Sequence, residues 1–139
     1  MGGGWSGQYR GTQGSSLLKL FEISCGSTGT NSAQLQRSNI PFNSILIHPL
    51  SHAGYYPEAS PIHLKLRYGS DGRVLGAQAA GHEGVDKRID VLATAIYFPA
   101  RIGDLDNLQL SYSPPFNSAR DPVNVAGSIA QSHLTSGES

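Results

Sequence analysis

Residues 62–80 leave the chain little conformational choice. Ile62, Leu64, Leu66 and Tyr68 alternate with His63, Lys65 and Arg67. In an extended chain that period of two sends the apolar set to one face and the basic set to the other. Gly69-Ser70-Asp71-Gly72 is a turn signal, and Val74 to Ala80 returns as the second strand of a hairpin. The returning strand is built from Gly76, Ala77, Ala79 and Ala80, small residues over which another element, most simply a helix, can pack closely. A helix follows at once. Val85, Ile89, Leu92, Ala93 and Ile96 recur at helical spacing, Asp86 suits the positive first turn, and Pro99 stops the run.

The flanks are read in the same way. Leu17 to Ile23 is apolar except for Lys19 and Glu22, with apolar residues on both alternating faces, so one central strand is expected. Gly26 to Gly29 is expected to break it. Asn31 or Ser32 is placed to cap a short helix through Arg37, and Pro41 ends that element. Ile45-Leu46-Ile47 is a short buried strand. Leu105 and Leu108 suggest a further helical turn, and Pro114-Pro115 forbids helix. Asp121 caps a last helix with Pro122 in its first position, running through Val123, Ala126, Ile129 and Ala130. Strands first and helices after them predict an α+β fold, an antiparallel β-sheet with helices packed on one face. The expected layout is a flexible lead over 1–8, one domain over 9–131 and a disordered tail over 132–139.

Composition removes several function classes. Lys+Arg and Asp+Glu both total 10, which gives no electrostatic case for nucleic acid or an acidic membrane surface. No run of 18 apolar residues marks a transmembrane helix, and no charged-then-apolar leader opens the chain. The single cysteine forms no internal disulfide, in keeping with a reducing, cytoplasmic setting. Gly2, Gly4 and Gly7 match a dinucleotide fingerprint by spacing, but nothing precedes them to supply its strand. Met1-Gly2 with Ser6 matches a loose myristoylation pattern that short sequences meet by chance.

Residues 74–96, from Val74-Leu75-Gly76-Ala77 through Gly81-His82-Glu83-Gly84-Val85-Asp86-Lys87-Arg88 to Ile96, resemble the core of the interface domain of flavin-dependent pyridine nucleotide-disulfide oxidoreductases. Further matching pieces lie in order: Tyr9 to Gly14, His52-Ala53-Gly54-Tyr55-Tyr56-Pro57, Ser111-Tyr112-Ser113-Pro114-Pro115-Phe116, and Asp121 to Gly127. Together they cover roughly 8–131 and are most similar to the coenzyme A-disulfide reductase, NADH oxidase and NADH peroxidase branch. Tyr97-Phe98-Pro99-Ala100-Arg101 departs from the family pattern, which usually has a glycine there.

The resemblance implies a homodimerisation module. It implies FAD and NAD(P)H in other domains of a parent enzyme, no cofactor in this chain, and no catalysis by the chain alone. It also implies that Tyr55 and Tyr112 are auxiliary catalytic groups acting across the dimer, beside the partner's redox cysteine and bound coenzyme A. Tyr56 is the substitute for Tyr55 within its motif, and Arg120 is a weaker candidate for a coenzyme A phosphate. A phenol can hydrogen-bond a thiolate and tune it; read without the family, loop tyrosines more often pack a ring and leave the hydroxyl wet. The apolar faces of the main and last helices are expected to form the two-fold interface.

Cys25, after the expected strand and without a basic neighbour, reads as a small structural side chain. His48 and His52 have ligand-like spacing but Pro49 intervenes and no further ligand is near, so no metal is expected. His63, Lys65 and Arg67 read as a solvated basic face. Asp86, Lys87, Arg88 and Asp90 are expected to bond within their helix and its approach loop. The alternative function is a free-standing binding or heteromerisation module that reuses the fold. A hydrolase or metal enzyme lacks a nucleophile elbow and a ligand cluster.

Overall fold

The computed structural model describes residues 14–51, 60–110 and 120–136. The strands are β1 (Ser15–Leu20), β2 (Ile23–Gly29), β3 (Phe42–Ile47), β4 (His63–Gly69) and β5 (Val74–Gly81). The helices are α1 (Ser32–Arg37), α2 (Val85–Tyr97), α3 (Ile102–Asn107) and α4 (Pro122–Ser136). The strands form one antiparallel sheet in the order β1-β2-β5-β4-β3, the α+β arrangement expected from the sequence.

The β4–β5 hairpin forms as its alternation demands. Register sets Leu64 opposite Ala79 and Leu66 opposite Ala77. The turn closes through Gly72 N–H donating to the Gly69 carbonyl at 2.9 Å and Arg73 N–H to Asp71 Oδ1 at 3.0 Å. Carried across the sheet, register puts Leu17, Gly26, Ala79, Leu64 and Ile47 on one rung and one face. Val85, Ile89 and Leu92 of α2 and Val123, Ala126 and Ala130 of α4 join this face in a single core. Gly26 permits the contact, since a Cβ there would lie 2.7 Å from Ile89 Cγ1.

Several expectations change. The single central strand over Leu17 to Ile23 is two strands, folded back at Phe21 (φ 57°), and β1 is the outermost strand. Its apolar residues point both ways for different reasons: Leu17 faces α2, whereas Leu18 and Leu20 lie on the sheet face that no described helix covers. Gly26 therefore lies within a strand, admitting a helix instead of breaking the chain. The strand at Ile45 to Ile47 is buried on one side only, with Leu46 exposed. Asn31 is the cap of α1; its side chain accepts from Gln34 N–H and Gln34 Oε1 accepts from Asn31 N–H, both at 2.8 Å. Helix α4 runs to Ser136, into the stretch expected to be a disordered tail, with Leu134 packed against the core. The apolar faces of α2 and α4, expected at a two-fold interface, are consumed by the chain's own core.

Candidate functional site

The N-terminus of α2 carries Arg88 one turn in, on the same stripe as Val85, Ile89 and Leu92, and its side chain is 1% exposed. Gly84 adopts φ 76°, and a Cβ there would overlap the Arg88 guanidinium, so glycine is what lets this arginine fold back over its own helix start. The guanidinium donates to the Gly84 carbonyl at 3.2 Å, to the Ser51 carbonyl at 3.1 Å, and to both oxygens of Asp121 at 3.4 and 3.2 Å. Asp121, equally buried, is also the cap of α4, accepting from Val123 N–H at 2.8 Å. Such a pair tolerates burial because both ions are hydrogen-bonded to fixed partners. Lys87 approaches Asp121 at 3.9 Å, yet burial and then the charge of Arg88 hold its ammonium below the ordinary lysine range against that attraction.

The positions of Ser51 and Asp121 give this cluster its interest. Ser51 leads directly into 52–59, and Ser51 N–H donates to the Ser60 carbonyl at 2.8 Å, so the two ends of that segment are closed together. Ile62 N–H donates to the Pro49 carbonyl at 2.7 Å, and Ser51 Oγ to Glu83 at 3.1 Å. Arg120 and Asp121 leave 111–119. The approach to that segment is gripped by Asn124, whose amide donates to the Leu105 and Leu108 carbonyls at 2.8 and 3.0 Å. One buried guanidinium thus spans the stem of one segment and the exit of the other. Tyr55, Tyr56, Tyr112 and His52 themselves lie outside the described residues.

Arg120 is half exposed and forms an ion pair with Asp106, donating also to the Asn124 carbonyl at 3.3 Å. Arg88 corrects the expectation for the charges of α2, since it bonds beyond its own helix and approach loop. That role was legible: positions 85, 88, 89 and 92 share one helical stripe, which puts Arg88 among the buried residues. Arg67 corrects the solvated basic face. It is buried, donates to the Thr30 carbonyl at 2.9 Å and to Gln78 at 3.2 Å, and burial lowers its pKa. His63 is exposed and meets His48, with Nδ1 atoms 2.6 Å apart. Cys25 lies within β2, opposite Leu18 and Ala80, instead of after a strand. Among the described residues no three His, Cys, Asp or Glu side chains group as metal ligands.

Residues 16–123 match the dimerisation domain of the pyridine nucleotide-disulphide oxidoreductases, and the chain belongs to that family. Within it, the chain is similar to the coenzyme A disulfide reductase of Staphylococcus epidermidis, 34% identical over 132 residues. That match takes in 94% of this chain but 30% of the relative, so the chain spans about a third of the length of the curated enzymes it matches. Among solved structures it resembles reduced Bacillus anthracis CoADR-RHD (45% identical, TM-score 0.85, 90% of this chain and 22% of that one). It also resembles an NAD-dependent persulfide reductase from A. fulgidus (35%, TM-score 0.86, 90% and 23%). The water-forming NADH oxidase of Lactobacillus brevis shares the fold at 21% identity and TM-score 0.85, covering 90% of this chain and 28% of that one.

The family depends on FAD and NAD(P)H, and the described residues do not fit either group. A strand leads into a helix at Gly81 and Gly84, the local geometry that elsewhere cradles a pyrophosphate. Here Glu83 and Asp86 put negative charge at the helix start, and the Arg88 side chain already fills the space over Gly84. The cleft beside that turn, about 420 Å³, presents those same two acids.

Proposed function

We propose that this chain is the dimer-forming part of a flavin-dependent, NAD(P)H-consuming reductase, and that it lends Tyr55 and Tyr112 to the active site of a second subunit. FAD and NAD(P)H act in the other domains of the parent enzyme, and the substrate class is a disulfide or persulfide of coenzyme A. The carrying observation is the Arg88–Asp121 cluster, which holds the stem of 52–59 against the exit of 111–119. Two segments that contribute to one site must be held together at their bases, and independent loops would need no such tie. Each phenol would donate a hydrogen bond to a cysteine thiolate or to the sulfur leaving coenzyme A, and stabilise the charge that develops there. Tyr56 takes the place of Tyr55 if the first motif presents its second ring. Arg120 would reach a coenzyme A phosphate by exchanging Asp106 for it. The setting is a reducing cytoplasm.

Two measurements test this reading. Light scattering across a dilution series should show a mass twice that of the chain, and a monomer at all concentrations overturns the dimer. The chain is then joined to the flavin and nicotinamide domains of the Bacillus anthracis relative. Tyr55→Phe and Tyr112→Phe should each lower kcat/KM for coenzyme A disulfide about a hundredfold. Reduction of the flavin by NADH should be unchanged. Full activity in both variants removes the tyrosines from the mechanism.

A further inference from the structure

We infer that His48 and His63 form a two-imidazole site for a divalent transition-metal ion, copper(II) before the others of its row. The inference is independent of the tyrosine reading. Register brings the pair together. Ile47 lies opposite Leu64, so the next rung sets His48 opposite His63, on the sheet face that also carries Leu46 and Lys65. Both side chains are exposed, and their Nδ1 atoms meet at 2.6 Å with the ring planes at 72°. Only one of two nitrogens at that distance can carry a proton, so the other presents a bare lone pair. Sequence spacing draws attention to His48 with His52, whereas the fold brings His63, 15 positions away, against His48.

The backbone beneath the pair is pinned on both sides. The Ile47–Leu64 rung of β3 and β4 lies before it. Beyond it, Ile62 N–H donates to the Pro49 carbonyl at 2.7 Å, and Leu50 bridges Pro61. Pro49 also favours an extended backbone at His48. The Cβ atoms of such a cross-strand pair stand about 5 Å apart, close enough for both rings to hold one ion. Because the rings are exposed, they can turn until their lone pairs converge. With metal–nitrogen bonds of about 2.0 Å, two imidazole nitrogens stand about 2.8 Å apart at a right angle and about 3.3 Å apart at a tetrahedral angle. The observed 2.6 Å is nearer the first, which suits the tetragonal copper(II) ion better than tetrahedral zinc. Copper(II) is also the strongest binder of the first-row divalent ions. Both ligands are neutral and Lys65 shares their face, so nitrogen affinity and not charge selects the ion, which sets calcium and magnesium aside. Among the described residues no third ligand joins the pair, and water completes the coordination.

The test adds Cu²⁺ to the 139-residue chain in a non-coordinating buffer and reads electron spin echo modulation, which counts bound imidazoles through their remote nitrogens. Wild type should bind the ion with two imidazoles. His48→Ala and His63→Ala should each leave at most one, and should weaken Cu²⁺ by more than about tenfold, since even an outer-shell partner of a ligand is worth that much. Both positions are exposed, so neither variant should lose the fold. His82→Ala, at another exposed histidine, should keep both imidazoles and the wild-type affinity. A second reading separates this site from any that the unfolded chain also offers. The pair exists only where β3 and β4 are joined, so Cu²⁺ should raise the thermal unfolding midpoint of wild type and of His82→Ala. It should leave the midpoint of His48→Ala and of His63→Ala where it was. Two imidazoles retained in either ligand variant overturn the site, and so does a wild-type midpoint that Cu²⁺ does not raise. A loss in His82→Ala as large as that in His63→Ala overturns the assignment to this pair.

Discussion

On the sheet face beneath α2 and α4, one rung runs Leu17, Gly26, Ala79, Leu64, Ile47 across all five strands. On the opposite face the neighbouring rung runs Ser16, Ser27, Gln78, Lys65, Leu46. The first is apolar, with its smallest residues at the centre, where the helix needs room. The second is mainly polar, and the same face carries Leu18, Leu20 and Leu46, each more than half exposed. The covered face is completed by the chain's own helices. The open face combines hydrogen-bonding groups with leucines that the described residues leave exposed, the mixture found where a surface meets another protein body. The contrast predicts where substitutions act on folding and where they act on association.

The largest folding effect should come from Leu92→Ala at the centre of the covered face. Removing a fully buried leucine side chain should cost about 3 kcal/mol, read as a shift in denaturation midpoint at constant slope. A cost below about 1 kcal/mol would mean that α2 is loosely seated, and the contrast between the faces would collapse. Gly26→Ala comes next, at about 2 kcal/mol, because the new methyl must displace Ile89 and Leu17. Ser27→Ala, one residue along and on the open face, should change stability by no more than about 0.5 kcal/mol.

Tyr68 sharpens the comparison in the other direction. It lies in the covered core with its hydroxyl buried and without a hydrogen-bond partner among the described residues. Tyr68→Phe should therefore stabilise the chain by about 1 kcal/mol. Burial raises the Tyr68 pKa above the ordinary tyrosine value. The unfolded chain then loses this proton first, so Tyr68's contribution is complete below pH ~10 and lost as pH rises through the folded value. The stability difference between wild type and Tyr68→Phe should widen above pH ~10 in favour of the variant. A difference that stays flat would mean that the hydroxyl reaches solvent.

How much of this was legible in the sequence follows from what each signal measures. Alternation over 62–68 and the stripe at 85, 89 and 92 report burial on one face, and both elements form where that pattern places them. The run from Leu17 to Ile23 reads as one central strand because apolar residues on both faces signal two covering surfaces, whereas no described helix supplies the second of them. The glycines at 26 and 29 looked like a break because spacing cannot separate a glycine that ends a strand from one that admits a helix. The candidate site was half visible. Tyr55 and Tyr112 came from motif resemblance, whereas the Ser51–Arg88–Asp121 tie joins positions far apart in sequence, and only the assembled fold brings them together. Even so, Arg88 at i+3 from Val85 carried a local sign of burial.

The smallest folding effect belongs to the open face, where association should carry the signal instead. Leu18→Ser combined with Leu20→Ser replaces exposed apolar area on the outermost strand without opening a cavity. Stability of the folded chain, measured at concentrations where it is a monomer, should change by no more than about 0.5 kcal/mol. Dimer formation should weaken, because the leucines offer a second copy apolar area that water otherwise covers. Light scattering of the double variant beside wild type reads both consequences. A dimer that survives dilution unchanged would locate the two-fold contact elsewhere on the chain and leave Leu18 and Leu20 without a part in it. A large loss of stability would be more damaging, because it would show that the edge hairpin is held by these leucines within the chain, and that the open face is closed after all.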